Sequence, residues 1–330
     1  MTANPTEPRP VHSTPDMTWV AQGAELVARN MERVIRGKPD AVALTVIAML
    51  AEGHVLVEDV PGVGKTSLAR ALAASIDAGT NRIQFTPDLL PSDVTGATIY
   101  HAHDGTFVFH KGPIFANVVL ADEINRASPK TQSALLEVMD ERRITVEAVT
   151  HQVPRPFLVM ATQNPIEMDG TYRLPEAQLD RFLIRLAMGY PDAATEAQIL
   201  GDDGAEEGIS HLRPVVSAKD VQRMIDAVAT VEVAPVLRDY IVAIVATTRK
   251  LSEVRLGASP RASLALMRAA RARSAMAGRS YATADDVKAL AQATLGHRLV
   301  LASQAALSNT TAVTLIDETI RAIPVPTAAA

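Results

Sequence analysis

The chain has 330 residues, enough for two domains or one large one. Its 48% hydrophobic and 21% charged residues are the composition of a folded globular protein, and zero cysteines exclude disulfides, thiolate metal cages and thiol nucleophiles. A net charge of −5 with six Phe, five Tyr and one Trp lacks the basic excess and stacking rings of a general nucleic-acid binder.

In chain order, residues 1–16 are rich in proline and hold no apolar block, so they read as a disordered lead-in and not as a signal peptide. A cytoplasmic location is the matching expectation. The longest apolar stretch, Ala41 to Ala51, is bounded by Asp40 and Glu52 and falls short of the roughly 18 residues of a membrane span. No membrane insertion is expected. Across residues 17–190, helical patterns alternate with short apolar runs, the pattern of an α/β domain built on a parallel sheet. Its predicted strands include His54–Val60, Val118–Asp122 and Phe157–Thr162, and in such a sheet the functional groups sit at the C-terminal strand ends. Thr98–Gly112 and Ile144–Pro154 read as inserted hairpins, and Leu174–Phe182 as a helix running out of this domain.

Past Tyr190-Pro191 the pattern is helical alone through residue 324, before a flexible tail at 325–330. Ser217 with Asp220, and Thr283 with Asp286, have the spacing of capping boxes, and Pro235 suits a first helical turn. Gly201–Gly208 reads as a loop inside this helical domain.

The strongest local signal is Pro61-Gly62-Val63-Gly64-Lys65-Thr66-Ser67, between a predicted strand and a predicted helix. Glycines let backbone N–H groups turn toward a phosphate, the helix N-terminus adds partial positive charge, Lys65 reaches terminal phosphates and Thr66 can ligate Mg²⁺. The strict G-x-x-x-x-G-K-[ST] spacing wants glycine at 59, where this chain has Asp59. A second apolar strand delivers Asp122 and Glu123 side by side, which suits one carboxylate for Mg²⁺ and one to polarise an attacking water. A third ends in Asn164, placed to hold that water or touch the γ-phosphate. Ser259-Pro260 starts a helix with Arg261 in its first turn, where a cation is disfavoured unless an anion lies opposite. Arg181 beside Asp180 is open to a plain ion-pair reading on its own sequence.

These stretches together resemble the MoxR family of AAA+ ATPases. The resemblance is carried by Gly53–Thr66, Ala121–Gln132, Ala161–Pro165, Leu174–Phe182 and Ser259–Ala262, in the family's order, and spans about Val34 to Val300. It implies a P-loop AAA+ parallel-sheet domain followed by a small all-helical lid domain, and Asp59 matches the family's own form of the loop. It also implies ATP and Mg²⁺ as cofactors. Lys65 and Thr66 would be Walker A, Asp122 and Glu123 Walker B, and Asn164 sensor 1. Arg181 would be an arginine finger offered to a neighbouring subunit, and Arg261 sensor 2. Arg126 is a further candidate for the subunit boundary, and Val34-Ile35 would lie against adenine.

By the same resemblance the two hairpins are the helix-2 and pre-sensor-1 inserts, facing a pore and a client. The family implies a homo-oligomer, a hexamer, and a partner with a von Willebrand factor A domain; its Asp-x-Ser-x-Ser metal motif does not occur in this chain. Chaperone-like remodelling of a protein client is the expected activity. A magnesium-chelatase-like motor subunit and a DNA-acting AAA+ motor are the alternatives. A GTPase would need an Asn-Lys-x-Asp guanine reader, which is absent.

Overall fold

Helices α1 (Thr18–Glu32) and α2 (Pro39–Leu50) lead into strand β1 (Val55–Glu58) and helix α3 (Lys65–Ser75) in the computed structural model. There follow β2 (Thr80–Gln84), the short α4 (Pro91–Thr95), the hairpin β3 (Gly96–His101) and β4 (Thr106–Lys111), β5 (Val118–Asp122) and α5 (Pro129–Glu141). A second hairpin, β6 (Arg143–Val146) and β7 (Val149–Gln152), precedes β8 (Leu158–Gln163), the one-turn α6 (Glu176–Leu179) and β9 (Ile184–Leu186). The rest is mainly helical: α7 (Ala193–Gly201), α8 (Ala205–His211), α9 (Ala218–Ala229), α10 (Pro235–Thr248), α11 (Pro260–Met276), α12 (Ala284–Leu295), α13 (Ser303–Leu307) and α14 (Ala312–Ala322). The structure describes residues 16–325 apart from 61, 104, 165–170, 202–204 and 308. Nearly all of the expected lead-in and tail, and Pro61, lie outside the described residues.

The central sheet has five strands in the order β2-β5-β8-β1-β9, with parallel pairing throughout. Successive side chains of a strand point to opposite faces, and the burial follows. Val55, Val57, Leu120, Met160 and Ile184 join one core with α1, α2 and α3. Leu56, Val119, Ala121 and Val159 join a second with Leu135 and Leu136 of α5. Burial on both faces is why β5 and β8 are nearly continuous apolar runs.

In the helical part the expected stripes are the buried ones: Val221, Met224, Ile225 and Val228 on α9, and Leu237, Tyr240, Ile241, Ile244 and Val245 on α10. Ser217 caps α9, and Thr283 with Asp286 forms a capping box on α12. Both hairpins form.

Four expectations need correction. The part past Tyr190 is not helical alone, since Val254–Leu256 and Val300–Leu301 pair as a short antiparallel two-stranded sheet. Leu174–Phe182 is not a helix: Pro175 is the N-cap of one turn, after which Phe182 is buried and the chain enters β9, the edge strand beside β1. Gly201–Gly208 is not one loop, since α7 runs to Gly201 and α8 begins at Ala205; alanine and glutamate favour helix despite the flanking glycines. The first strand is shorter than His54–Val60, because Asp59 and Val60 belong to the loop that follows. Among the described residues no helix is long and apolar enough to cross a membrane.

Candidate active site

The loop between β1 and α3 turns on glycines. Gly62 has φ +82° and Gly64, the N-cap of α3, has φ +91°; a Cβ at Gly62 would meet nothing within 4 Å, so the left-handed backbone and not space demands glycine there. Lys65 Nζ donates to the carbonyls of Asp59 at 2.9 Å and Val60 at 3.2 Å, which holds the amine over the loop. Thr66 and Ser67 follow in the first turn of α3.

Asp122 and Glu123 end β5, two strands away from β1 across β8. Asp122 Oδ1 accepts the Thr162 hydroxyl at 2.5 Å, and Oδ2 takes Arg82 at 2.6 Å. Glu123 has φ +55°, a left-handed conformation that costs a residue with a side chain about 1 kcal/mol or more. Its carboxylate takes Gln84 at 3.1 Å and Arg126 at 2.9 Å, and its backbone N–H donates to Thr162 at 2.9 Å. Asn164 follows β8, the strand lying between β1 and β5, so loop, acid pair and amide all follow the C-terminal ends of neighbouring parallel strands.

Arg181 and Arg261 lie elsewhere. Both reach Asp140 near the end of α5, Arg181 through Nε at 3.1 Å and Arg261 at 3.0 Å. With them Arg142, Arg268 and Arg298 line a cavity of about 330 Å³ that also includes Gly53 and His54, the residues just before β1. The cavity is therefore at the N-terminal end of β1, while Lys65 is past its C-terminal end. None of the described residues of the 59–67 loop lines it. The sheet brings five of the expected residues together and sets the two arginines apart from them.

Elsewhere in the helical part, Arg273 and Arg279 close on buried Asp286, and Arg268 donates to the carbonyls of Ala51 and Glu52. Ile35 is buried, and Val34 lies 3.4 Å from where a Cβ of Gly208 in α8 would stand.

Arg82, Gln84 and Asp140 went unseen in the sequence. Thr80–Gln84 buries only Ile83, so it has no apolar run to mark a strand, and Asp140 has no motif around it.

The description "ATPase family associated with various cellular activities (AAA)" matches residues 54–184, and "AAA lid domain" matches 246–319. The chain is 50% identical over 297 residues to the uncharacterized protein YeaC of Bacillus subtilis, covering 90% of this chain and 93% of that one. It is 40% identical over 306 residues to Chaperone MoxR1 of Mycobacterium tuberculosis, covering 90% and 81%. The chain belongs to the MoxR family of AAA+ ATPases. A crystal structure of a candidate ATPase from Cytophaga hutchinsonii superimposes on this MoxR-family fold with a TM-score of 0.86, at 35% identity, over 94% of this chain and 97% of that one.

Membership makes sense of Asp59. Its Oδ2 accepts the N–H groups of Met188 and Gly189, both at 2.6 Å, and Oδ1 accepts that of Val60 at 2.8 Å. The residue that breaks the strict loop pattern ties the loop to the turn after β9. The oxygen donors Thr66 and Asp122 fit Mg²⁺, a hard cation that takes one or two protein ligands and completes its shell with water and phosphate. Among the described residues no cluster of three His, Asp or Glu could form an all-protein metal cage.

Proposed function

We propose that this chain hydrolyses ATP as one subunit of a ring, with each nucleotide site completed by arginines of the adjacent subunit. One observation carries this reading: Arg181 and Arg261 share Asp140 at the N-terminal end of β1, and Lys65 stands past its C-terminal end. A four-residue strand is about 13 Å long, so neither arginine is aimed at the loop of its own chain.

In this reading the N–H groups of the 62–66 loop and the Lys65 amine bind the phosphates, and Thr66 and Asp122 hold Mg²⁺. The metal, when bound, neutralises charge on the phosphate oxygens. Glu123 accepts the proton of the attacking water, which Asn164 orients. Arg181 and Arg261 of the neighbour supply planar, permanent positive charge to the transferring phosphoryl group.

A hexamer, a protein client, a von Willebrand factor A partner and a cytoplasmic location belong to the same proposal. The name of Chaperone MoxR1 supports a remodelling role. So do Ile99, Tyr100 and Phe107, large apolar side chains left exposed on the β3–β4 hairpin.

Mixed assemblies test it. Arg181→Ala subunits alone should bind ATP and barely hydrolyse it, and adding Lys65→Ala subunits should restore part of the activity. Full activity of Arg181→Ala alone, or no recovery in rings shown by mass to be mixed, would overturn it.

A further inference from the structure

Arg181 is presented by irregular backbone, since the helical turn ends at Leu179 and β9 starts at Ile184. Such backbone, where buried, must find partners for its polar groups. The N–H groups of residues 180–183 bond to backbone carbonyls, and the carbonyls of Asp180, Phe182 and Leu183 all meet one side chain. Arg298, in the turn of 3₁₀-helix Gly296–Arg298 after α12, is 6% exposed.

A guanidinium has five N–H donors in a fixed plane, and each of these meets an acceptor. Nε donates to Asp180 Oδ1 at 2.7 Å. One terminal nitrogen donates to the carbonyls of Asp180 at 3.1 Å and Phe182 at 2.7 Å. The other donates to Leu183 O at 3.4 Å and to Thr294 O. The carbonyls on both sides of Arg181 are thereby pinned. Buried His297 adds a ring nitrogen 3.0 Å from the Phe182 carbonyl.

The second oxygen of Asp180 accepts the Ser259 hydroxyl at 2.7 Å. Ser259 is the N-cap of α11, and its oxygen accepts the N–H of Arg261 at 3.1 Å. An unbroken path of hydrogen bonds thus runs from Arg298 through Asp180 and Ser259 to the backbone of Arg261. Apolar side chains would fill a buried site at lower cost than an ion pair. They could not pin the carbonyls of Asp180, Phe182 and Leu183 and a carboxylate at once.

We propose that Arg298 is the positioning residue for both trans-acting arginines: with Asp180 and Ser259 it locks the Arg181 segment to the start of α11, so that Arg181 and Arg261 reach the neighbouring subunit as one preset pair. The inference rests on the trans reading above. With its donors engaged inside its own chain, Arg298 acts through Arg181 and Arg261. Its effect belongs to the neighbour's site and not to its own.

The test uses Arg298→Lys, which keeps the charge and loses the fork. Hydrolysis should fall about 10- to 100-fold in kcat, the cost of a misplaced catalytic group, with KM for ATP unchanged. Amide hydrogen exchange across residues 178–184 should quicken while strands β1, β5 and β8 keep their protection. Adding Lys65→Ala subunits should recover part of the activity, because these offer intact arginines to intact phosphate loops.

Wild-type kcat together with wild-type exchange in this segment overturns the proposal. So does a failure of Lys65→Ala to rescue Arg298→Lys under conditions where it rescues Arg181→Ala. If Arg181→Ala is not rescued either, the trans reading has failed, and exchange across 178–184 still decides whether Arg298 fixes the segment. Should Arg298→Lys not fold, Ser259→Ala carries the same comparison: rescue by Lys65→Ala supports the relay to Arg261, and an unchanged kcat overturns it.

Discussion

Arg261 closes on Asp140 at 3.0 Å across 121 residues of chain. The other oxygen of the same carboxylate takes Arg181 at 3.1 Å, so one acid at the end of α5 gathers an arginine from each side of the β9 strand. The pairs are partly exposed, and surface ion pairs contribute no more than about 1 kcal/mol each. Stability is therefore not what Asp140 chiefly supplies. It gathers two like charges that would otherwise repel, at the opposite end of β1 from the chain's own phosphate loop.

Asp140→Ala should leave the melting temperature nearly unchanged and lower kcat about 10- to 100-fold through misplaced arginines. Steady-state hydrolysis beside a thermal melt checks both halves. An active Asp140→Ala enzyme would mean that the arginines find their places without it.

A different expectation attaches to Asp59. Three backbone N–H groups converge on its carboxylate, those of Val60, Met188 and Gly189. Hydrogen bonds to a charged group contribute about 1.5–3 kcal/mol each, and buried donors left unpaired cost about as much again. Asp59→Gly would restore the strict loop pattern, yet it should destabilise the chain by about 3 kcal/mol or more. Urea denaturation measures this. A neutral Asp59→Gly would show that the tie to Gly189 carries no weight.

The parts legible in the sequence were those with local signatures. Gly62 and Gly64 announce a left-handed loop, Ser259-Pro260 announces a helix start, and the apolar runs of β5 and β8 announce strands buried on both faces. What escaped was built by long-range pairing. Arg82 and Gln84 sit on the polar strand β2 and meet Asp122 and Glu123 at the end of the neighbouring β5. Arg298 has no motif around it, and its partner Asp180 lies 118 residues away. Leu174–Phe182 departs from a helix for a related reason: Phe182 has the apolar spacing of a helix face but is pulled into the sheet's second core instead.

The last expectation concerns acid. His54 is buried just before β1, with Nδ1 accepting the N–H of Val159 and Nε2 facing the Met139 carbonyl, both at 3.0 Å. Burial lowers its pKa from 6.5 to about 4; Arg142 and Arg268 push the same way, against the Met139 bond and Asp140. The folded chain thus keeps this ring neutral over a range in which the unfolded chain protonates it. Its contribution to stability is complete above pH 6.5 and is lost as pH falls toward 4, about 3 kcal/mol in all at 1.36 kcal/mol per unit. His297, also buried and held neutral beside Arg298, adds to the same slope. Glu52 and Asp286 have carboxyls held below their usual values of 4.5 and 3.8, so their share is lost only at still lower pH. Denaturation free energies should therefore drop steadily between pH 6.5 and 5, before the acids begin to protonate. His54→Phe should be less stable at pH 7.5, with Val159 N–H and Met139 O left unpaired, and should fall less steeply with acid. A wild-type stability that stays flat from pH 7.5 to 5, or a His54 ring resonance that titrates near 6.5 in the folded chain, would show the ring is not held neutral.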